Sequence, residues 1–407
     1  MARTPITLVE ASSQGHIALV AGKIVASTKD VDANAAQISG AGSEQIIAAA
    51  FSQDGRLFAT GNNGKTVAIY RTDTWATIRT LAVAKRATAI TFDPTGAHLL
   101  IADKFGEVYR ARTTPDATEK PTAGKDDADK PAAGKDAADK PTAGKDAADK
   151  PELLLGHVSI VCDVKMSLGP APLVLTCDRD EKLRVSRYPN AYNIQSFGLG
   201  HTSFVTTIAA AQFAPGVALT GSGDGTVRLW DLASGRLVQT VNLEHLLRPY
   251  YEDGRVHTGA NDFADRNAAS RRYGVLRLRA VETQRAFVAV VERFPVVVVL
   301  PFADGPALGE PRVFDIPCQP TDVAVLNSHV VAAFAPPAAG VEGGGLAVAL
   351  EFRGCDGLAT DEALTTALNA LPTLQVESVA PIPSIYVWGN KMYLDPPKED
   401  DQEEDQV

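Results

Sequence analysis

Seven histidines and four cysteines are the residues of this 407-residue chain best suited to metal or nucleophilic chemistry, and their spacing supports neither. Cys162, Cys177, Cys318 and Cys355 form no C-x-x-C pair, so the pattern offers no zinc site and no disulfide framework, and a reducing compartment is the default expectation. No His-Glu-x-x-His segment is present. Gly221-Ser222-Gly223-Asp224-Gly225 has the composition of a phosphate loop. It lacks the following Lys-Ser/Thr and a helix N-terminus, and reads instead as a hairpin turn. There is no G-x-S-x-G elbow, and no glycine-rich strand-to-helix turn that would hold a methyl donor. The expectation is therefore no catalytic residue, no metal and no cofactor. Charge is concentrated in Cys177-Asp178-Arg179-Asp180-Glu181-Lys182-Leu183-Arg184-Val185, where polar binding is the available chemistry.

The elements that must carry this stretch follow from an internal repeat. Gly156-His157 and Gly200-His201 are separated by 44 residues, the same offset that places Asp180 against Asp224. A period of about 40–45 residues, opening on Gly-His and closing on Trp-Asp, marks a propeller blade, a four-stranded unit that buries its faces only against neighbours. The second copy closes on Trp230-Asp231, and Asp224-Gly225 supplies its tight turn. In WD-repeat blades the His, the turn Asp and the strand Trp are tied by hydrogen bonds. That resemblance assigns structural roles to His201, Asp224 and Trp230, and to His157 and Asp180 in the first copy. There Ser186 replaces the Trp, and Lys182 replaces Thr226.

Short β-branched runs bounded by Gly, Asn and Asp continue the pattern in both directions. Ile46–Tyr70 reads as one blade and Ala87–Arg110 as the next. Val275–Arg279, Ala286–Glu292 and Pro295–Phe302 read as a fifth. Val313–Ile316, Thr321–Val325, Val330–Ala335 and Leu346–Phe352 read as a sixth. Leu374–Ile382, Ser384–Trp388 and Lys391–Leu394 supply three strands of a seventh, with Ile6–Val9 as its fourth. The fold class expected is all-β, a seven-bladed WD-repeat β-propeller over residues 1–396 closed by both chain ends. Its interruption, 113–151, contains three near-copies of a Pro-Ala-Gly-Lys-Asp decapeptide that has little to bury and reads as a disordered insertion. Glu244–Tyr273 reads as an irregular polar insertion, and 397–407 as an acidic disordered tail.

The net charge of −10 is distributed unevenly. The tail from Lys398 holds six acids against one Lys, net −5, and 113–151 holds nine acids against seven Lys, net −2, leaving −3 elsewhere. A nearly neutral body can bind RNA only through a local patch. The longest apolar stretch, Pro295–Phe302, is far short of the roughly 20 residues of a membrane span, so a soluble protein with no membrane partner is expected.

Strand alternation puts Leu183 and Val185 on one face and Lys182, Arg184 and Ser186 on the other. Two readings fit the charged hairpin. It is either a solvated surface turn, or an interface for a partner carrying complementary acids.

At these residues the chain resembles a known family. Asp178–Ser186, Ser196–Val205 and Ser222–Trp230, with Lys85–Phe92, Ala102–Tyr109 and Gly156–Ser159, are similar to the WD-repeat non-catalytic subunit of the tRNA (guanine-N7)-methyltransferase, the Wuho family. The resemblance runs from about 45 to 240. It implies a nuclear, non-enzymatic scaffold that forms a heterodimer with the catalytic methyltransferase subunit and meets tRNA through the complex. It assigns partner binding to Glu181, Lys182 and Arg184, beside Arg179, and a partner- or tRNA-contact role to Lys85, Arg86 and Lys104. The acidic tail departs from the basic ending of many relatives. The alternative is a generic WD-repeat adaptor, such as a ubiquitin-ligase substrate receptor.

Overall fold

The computed structural model describes residues 6–29, 36–39, 44–114, 150–253, 256, 273–334, 347–353 and 357–370. Its strands form seven sheets of four antiparallel strands each, a seven-bladed propeller. The first blade holds β1 (Leu8–Ala11), β2 (His16–Ala21), β3 (Ile24–Lys29) and β4 (Ala36–Ser39). The second holds β5 (Ile46–Phe51), β6 (Leu57–Asn62), β7 (Thr66–Arg71) and β8 (Thr77–Ala82). The third holds β9 (Ala87–Phe92), β10 (His98–Asp103), β11 (Glu107–Arg112) and β12 (Glu152–Gly156). The fourth holds β13 (Val161–Met166), β14 (Leu173–Asp178), β15 (Lys182–Arg187) and β16 (Ile194–Leu199). The fifth holds β17 (Val205–Ala209), β18 (Val217–Ser222), β19 (Thr226–Asp231) and β20 (Leu237–Asn242). Helix α1 (Glu244–Glu252) leads to the sixth blade, β21 (Val275–Val281), β22 (Ala286–Val291), β23 (Val296–Pro301) and β24 (Arg312–Asp315). The seventh is β25 (Pro320–Leu326), β26 (His329–Phe334), β27 (Ala347–Arg353) and β28 (Gly357–Thr360), followed by α2 (Glu362–Ala370).

Every apolar cluster among the described residues draws on two consecutive blades. Phe58 and Tyr70 pack with Leu8 and Val20 between the first and second. Trp230 and Ile208 pack with Leu183 and Val185 between the fourth and fifth. The second and third strands of a blade are covered on both faces, which is why Val296–Leu300 is apolar throughout and buried. A blade alone would expose both of those faces to water.

The inner strands carry a further tie. In the third, fifth and seventh blades a one-residue bulge interrupts the pairing of the first two strands, at Thr88, Thr206 and Thr321. A bulge re-aims its side chain. Each of these hydroxyls donates to a carbonyl of the next blade: Thr88 to Val161 at 2.6 Å, Thr206 to Val275 at 2.5 Å and Thr321 to Ile6 at 2.6 Å. Asp163 accepts from the Ile208 amide at 3.0 Å, and Asp322 from the Val9 amide at 3.0 Å.

Three expectations are corrected. Strand β1 does not complete a blade with C-terminal strands. It is the inner strand of its own blade, because residues 6–39 contain four strands, and the ring closes by packing β1 beside β25. The strands expected at 374–394 lie outside the described residues, as do 115–149 of the insertion and the tail 397–407. Residues 312–315 close the blade of β21–β23 as its outer strand, instead of belonging, as expected of Val313–Ile316, to the blade of β25–β27, whose outer strand is β28. The stretch after 244 opens with a helix, in which Leu247 and Tyr250 are buried on one face.

Candidate partner interface

Antiparallel order puts the second-to-third-strand turns and the blade-to-blade loops on one face of the ring, and the remaining turns on the other. The charged hairpin, at the β14–β15 turn, lies on the first of these faces. Backbone hydrogen bonds stitch its neighbours together there. The Lys104 amide donates to Arg86 O at 3.2 Å, the His157 amide to Gly106 O at 2.7 Å and the Arg179 amide to Ile160 O at 3.0 Å. Lys85, Lys104, Arg179, Glu181 and Lys182 therefore share one continuous surface spanning the third and fourth blades.

Glu181 is exposed at the apex of its turn with φ 70°, a left-handed conformation; Gly225, its counterpart in the fifth blade, has φ 76°. Lys182 is half-buried and pairs with Leu199 across the sheet. Lys85 Nζ stands 4.4 Å from the centroid of the Phe105 ring, and Lys104 Nζ stands 5.8 Å from it. Sequence reasoning assigns no role to three apolar residues of this face. Phe105 is 56% exposed, Leu199 61%, and Val158 fully exposed at the crest of the loop between β12 and β13. An apolar residue beside glycine at a turn apex is the sequence signal for the first, at Phe105-Gly106.

Arg184 does not belong to this surface. It is buried, and all its donors face inward: Nε to Ser186 Oγ at 2.9 Å, Nη1 to Gly156 O at 2.8 Å and Nη2 to Ala191 O at 3.0 Å. In the fifth blade the position of Ser186 is filled by Trp230, whose bulk lies so close to Gly198 that a Cβ there would meet the indole at 2.9 Å. The fourth blade has Ser186 there, and Arg184 bonds to its hydroxyl. Burial pushes the Arg184 guanidinium below its ordinary value. Arg86 is likewise buried, with Nη1 3.5 Å from Asn63 Oδ1, and is not a surface contact.

His201 engages Asp224 Oδ2 through Nδ1 at 2.8 Å and Thr220 Oγ1 through Nε2 at 2.7 Å, and Trp230 Nε1 donates to the same Thr220 at 2.7 Å. Burial works to raise the Asp224 carboxyl. Hydrogen bonding and charge from His201, with donors from Thr226 and Thr202, outweigh it and hold the group far below the usual carboxylate range. In the fourth blade His157 reaches Asp178 Oδ2 at 3.0 Å and Thr176 at 2.7 Å. Asp180 is not its partner. The acid that reaches His157 lies at the end of β14, at the position of Ser222 in the fifth blade, and its other oxygen accepts the Lys182 amide at 3.0 Å. Thr176 and Thr220, in register at the same 44-residue offset, are the ties that sequence reasoning misses.

Burial raises the Cys162 and Cys177 thiols well above their ordinary value, so neither is poised as a nucleophile. Among the described residues no group of His, Cys, Asp and Glu is arranged to hold a metal ion, and no helix is long and apolar enough to cross a membrane.

Seven four-stranded blades, two of them closed by a His–Asp–Thr tie and one of these two completed by Trp, define a WD-repeat β-propeller. The chain belongs to the family described as the tRNA methyltransferase TRM82 WD40 domain, which it matches over residues 12–147 and 134–338. It is 38% identical over 206 residues to the tRNA (guanine-N(7)-)-methyltransferase non-catalytic subunit wdr4 of Xenopus laevis, covering 50% of this chain and 44% of that one. To the subunit of the same name from Homo sapiens it is 36% identical over 205 residues, covering 50% and 42%. The chain thus spans less than half the length of these curated relatives. Among solved structures, the RRP9 WD40 repeats superpose with a TM-score of 0.60 at 14% identity, covering 82% of this chain and 88% of that one, a likeness of fold alone.

Proposed function

We propose that this chain is a non-catalytic scaffold subunit of a tRNA (guanine-N7) methyltransferase, working in the nucleus as a heterodimer with the catalytic subunit. Membership of the family supports the reading, as do relatives named as non-catalytic subunits of that enzyme. The observation that carries the interface is the exposed Glu181, held in a strained turn beside Lys182, on a face that also presents Phe105, Val158 and Leu199. Apolar anchors rimmed by charges are what a protein partner desolvates. The propeller raises activity by holding mobile segments of the catalytic subunit in place and by widening the platform on which tRNA sits, which is preorganisation and not bond chemistry.

The test uses Glu181→Lys combined with Lys182→Glu, because Arg184 serves the blade interior. Co-purification with the catalytic subunit and N7-methylation of a variable-loop guanosine should both be lost while the melting temperature stays unchanged. Unchanged assembly and methylation would overturn the interface. Methylation by the isolated chain would overturn the scaffold reading, and no gain on mixing the two subunits would favour a generic WD-repeat adaptor.

A further inference from the structure

The opposite face of the ring holds a groove of about 690 Å³ between the first and second blades, and one wall of it is Trp75. Trp75 adopts φ 54°, the left-handed region that disfavours any residue with a Cβ. The corresponding turn of the fifth blade shows what the position ordinarily takes. There the Gly235 amide donates to Asp231 O at 2.8 Å with φ 72°; here the Trp75 amide donates to Arg71 O at 2.8 Å. A tryptophan thus stands where the repeat uses glycine, in a conformation that works against it. Backbone strain of this kind persists where the side chain is needed.

One side of the indole is anchored, with Phe58 at 5.6 Å and His16 at 6.2 Å, both edge-on. The remainder borders the groove. The two carboxylates at its rim are already engaged. Asp54 accepts from Ser52 Oγ at 2.6 Å, and Asp73 accepts two bonds from Arg71, at 2.6 and 3.0 Å, which with the Thr74 donors hold it at about 2. Lys29 is exposed, and Arg56, with 85% of its side chain exposed, stands 3.8 Å from Asp54 in a long surface ion pair. What the groove offers an incoming ligand is an aromatic wall and two cations at its surface. Aromatic stacking beside cations is the chemistry that holds an unpaired base and its phosphate. A volume near 690 Å³ is in the range of small-ligand sites.

We infer that this groove binds a nucleotide, its base stacked on Trp75 and its phosphate facing Lys29 and Arg56. The site is independent of the partner interface, which lies on the other face. Its source is either an unpaired nucleotide of RNA or a free nucleotide, and the same experiment separates them.

Fluorescence anisotropy of labelled hexauridylate is measured on the full chain, with UMP and AMP as competitors. Saturable binding is expected, weakened about tenfold by Trp75→Gly and retained within about threefold by Trp75→Phe. Lys29→Glu with Arg56→Glu, both at the surface, should weaken it about tenfold and flatten the salt dependence by about 0.7 in log–log slope for each phosphate no longer neutralised. Competition by mononucleotides at equal strength identifies a free nucleotide, and competition only by the oligomer identifies an RNA strand. Absence of saturable binding overturns the inference, as does equal binding by all variants or stronger displacement by a basic peptide. Assembly with the catalytic subunit, measured on the same variants, should be unaltered, so failure of this site is distinguishable from failure of the scaffold reading.

Discussion

The guanidinium of Arg184 donates to the hydroxyl of Ser186 at 2.9 Å, and Ser186 stands at the position that Trp230 holds one blade later. Two blades of one repeat have solved the same packing problem with different materials, one apolar and one hydrogen-bonded. Arg184→Ala would leave the carbonyls of Gly156 and Ala191 unpaired beside a cavity, so a loss of about 2–4 kcal/mol of unfolding free energy is expected. Urea denaturation checks it. The folded fraction should still assemble with the catalytic subunit, which a residue of the interface would not allow.

Glu181→Gly separates stability from binding. Relief of the left-handed backbone, in a turn whose counterpart is Gly225, should raise the unfolding free energy by about 0.5–1 kcal/mol. Loss of the carboxylate should weaken binding to the catalytic subunit. Thermal melts and a titration on the same sample decide the matter, and a variant that is both less stable and equally tight would contradict it.

Asp178 and Asp180 should behave as opposites. Removing the Asp178 carboxylate strands His157 and the Lys182 amide, at an expected cost of about 2 kcal/mol. Asp180→Ala, which breaks no side-chain hydrogen bond among the described residues, should stay within about 0.5 kcal/mol of the parent. Paired denaturation curves measure both.

The fifth blade is acid-sensitive in a defined direction. Because the folded Asp224 carboxyl titrates far below its unfolded value of 3.8, its contribution to stability is complete above that value and is lost as pH falls toward the folded value. Melting temperatures between pH 6 and pH 3 should fall faster for the parent than for Asp224→Asn below about pH 4. Parallel curves would remove Asp224 from the acid response.

How far the chain can be read from its residues alone depends on which of them make hydrogen bonds that recur. His201, Asp224 and Trp230 are legible because the tie uses fixed residue types at fixed spacing. Asp178 is not. The 44-residue offset aligns Asp180 with Asp224, yet the hairpin can supply the acid from either side of its turn. Alternation places Arg184 and Ser186 on one face, and gives no sign that the arginine turns inward to carbonyls of Gly156 and Ala191. The outer strands β24 and β28 escape a pattern-based reading, the first falling one blade late, because they are short and half-exposed, with no period-2 burial to mark them. Phe105, Val158 and Leu199 carry no signal because a single exposed apolar residue is ordinary in sequence, and only the fold brings three of them to one face.

The seam between the seventh and first blades joins an apolar cluster, Val9, Ile17 and Leu19 against Leu326 and Val331, to a small set of buried polar groups. Asp322 is fully buried, accepts from the Val9 amide, and faces Arg277 Nε at 3.1 Å. Asp322→Ala leaves that cation and the amide without their acceptor, and an expected loss of about 3–5 kcal/mol follows. Calorimetry of the full chain provides the check, with Thr321→Val as the milder break.

That seam is a butt joint. Both blades that meet there are complete four-stranded sheets, and among the described residues no strand is shared across it. A propeller latched by a borrowed strand opens by tearing a sheet. Between the described strands this joint is held by side-chain packing and side-chain-to-backbone hydrogen bonds, and a circular permutant with its new ends elsewhere would convert it into ordinary covalent chain.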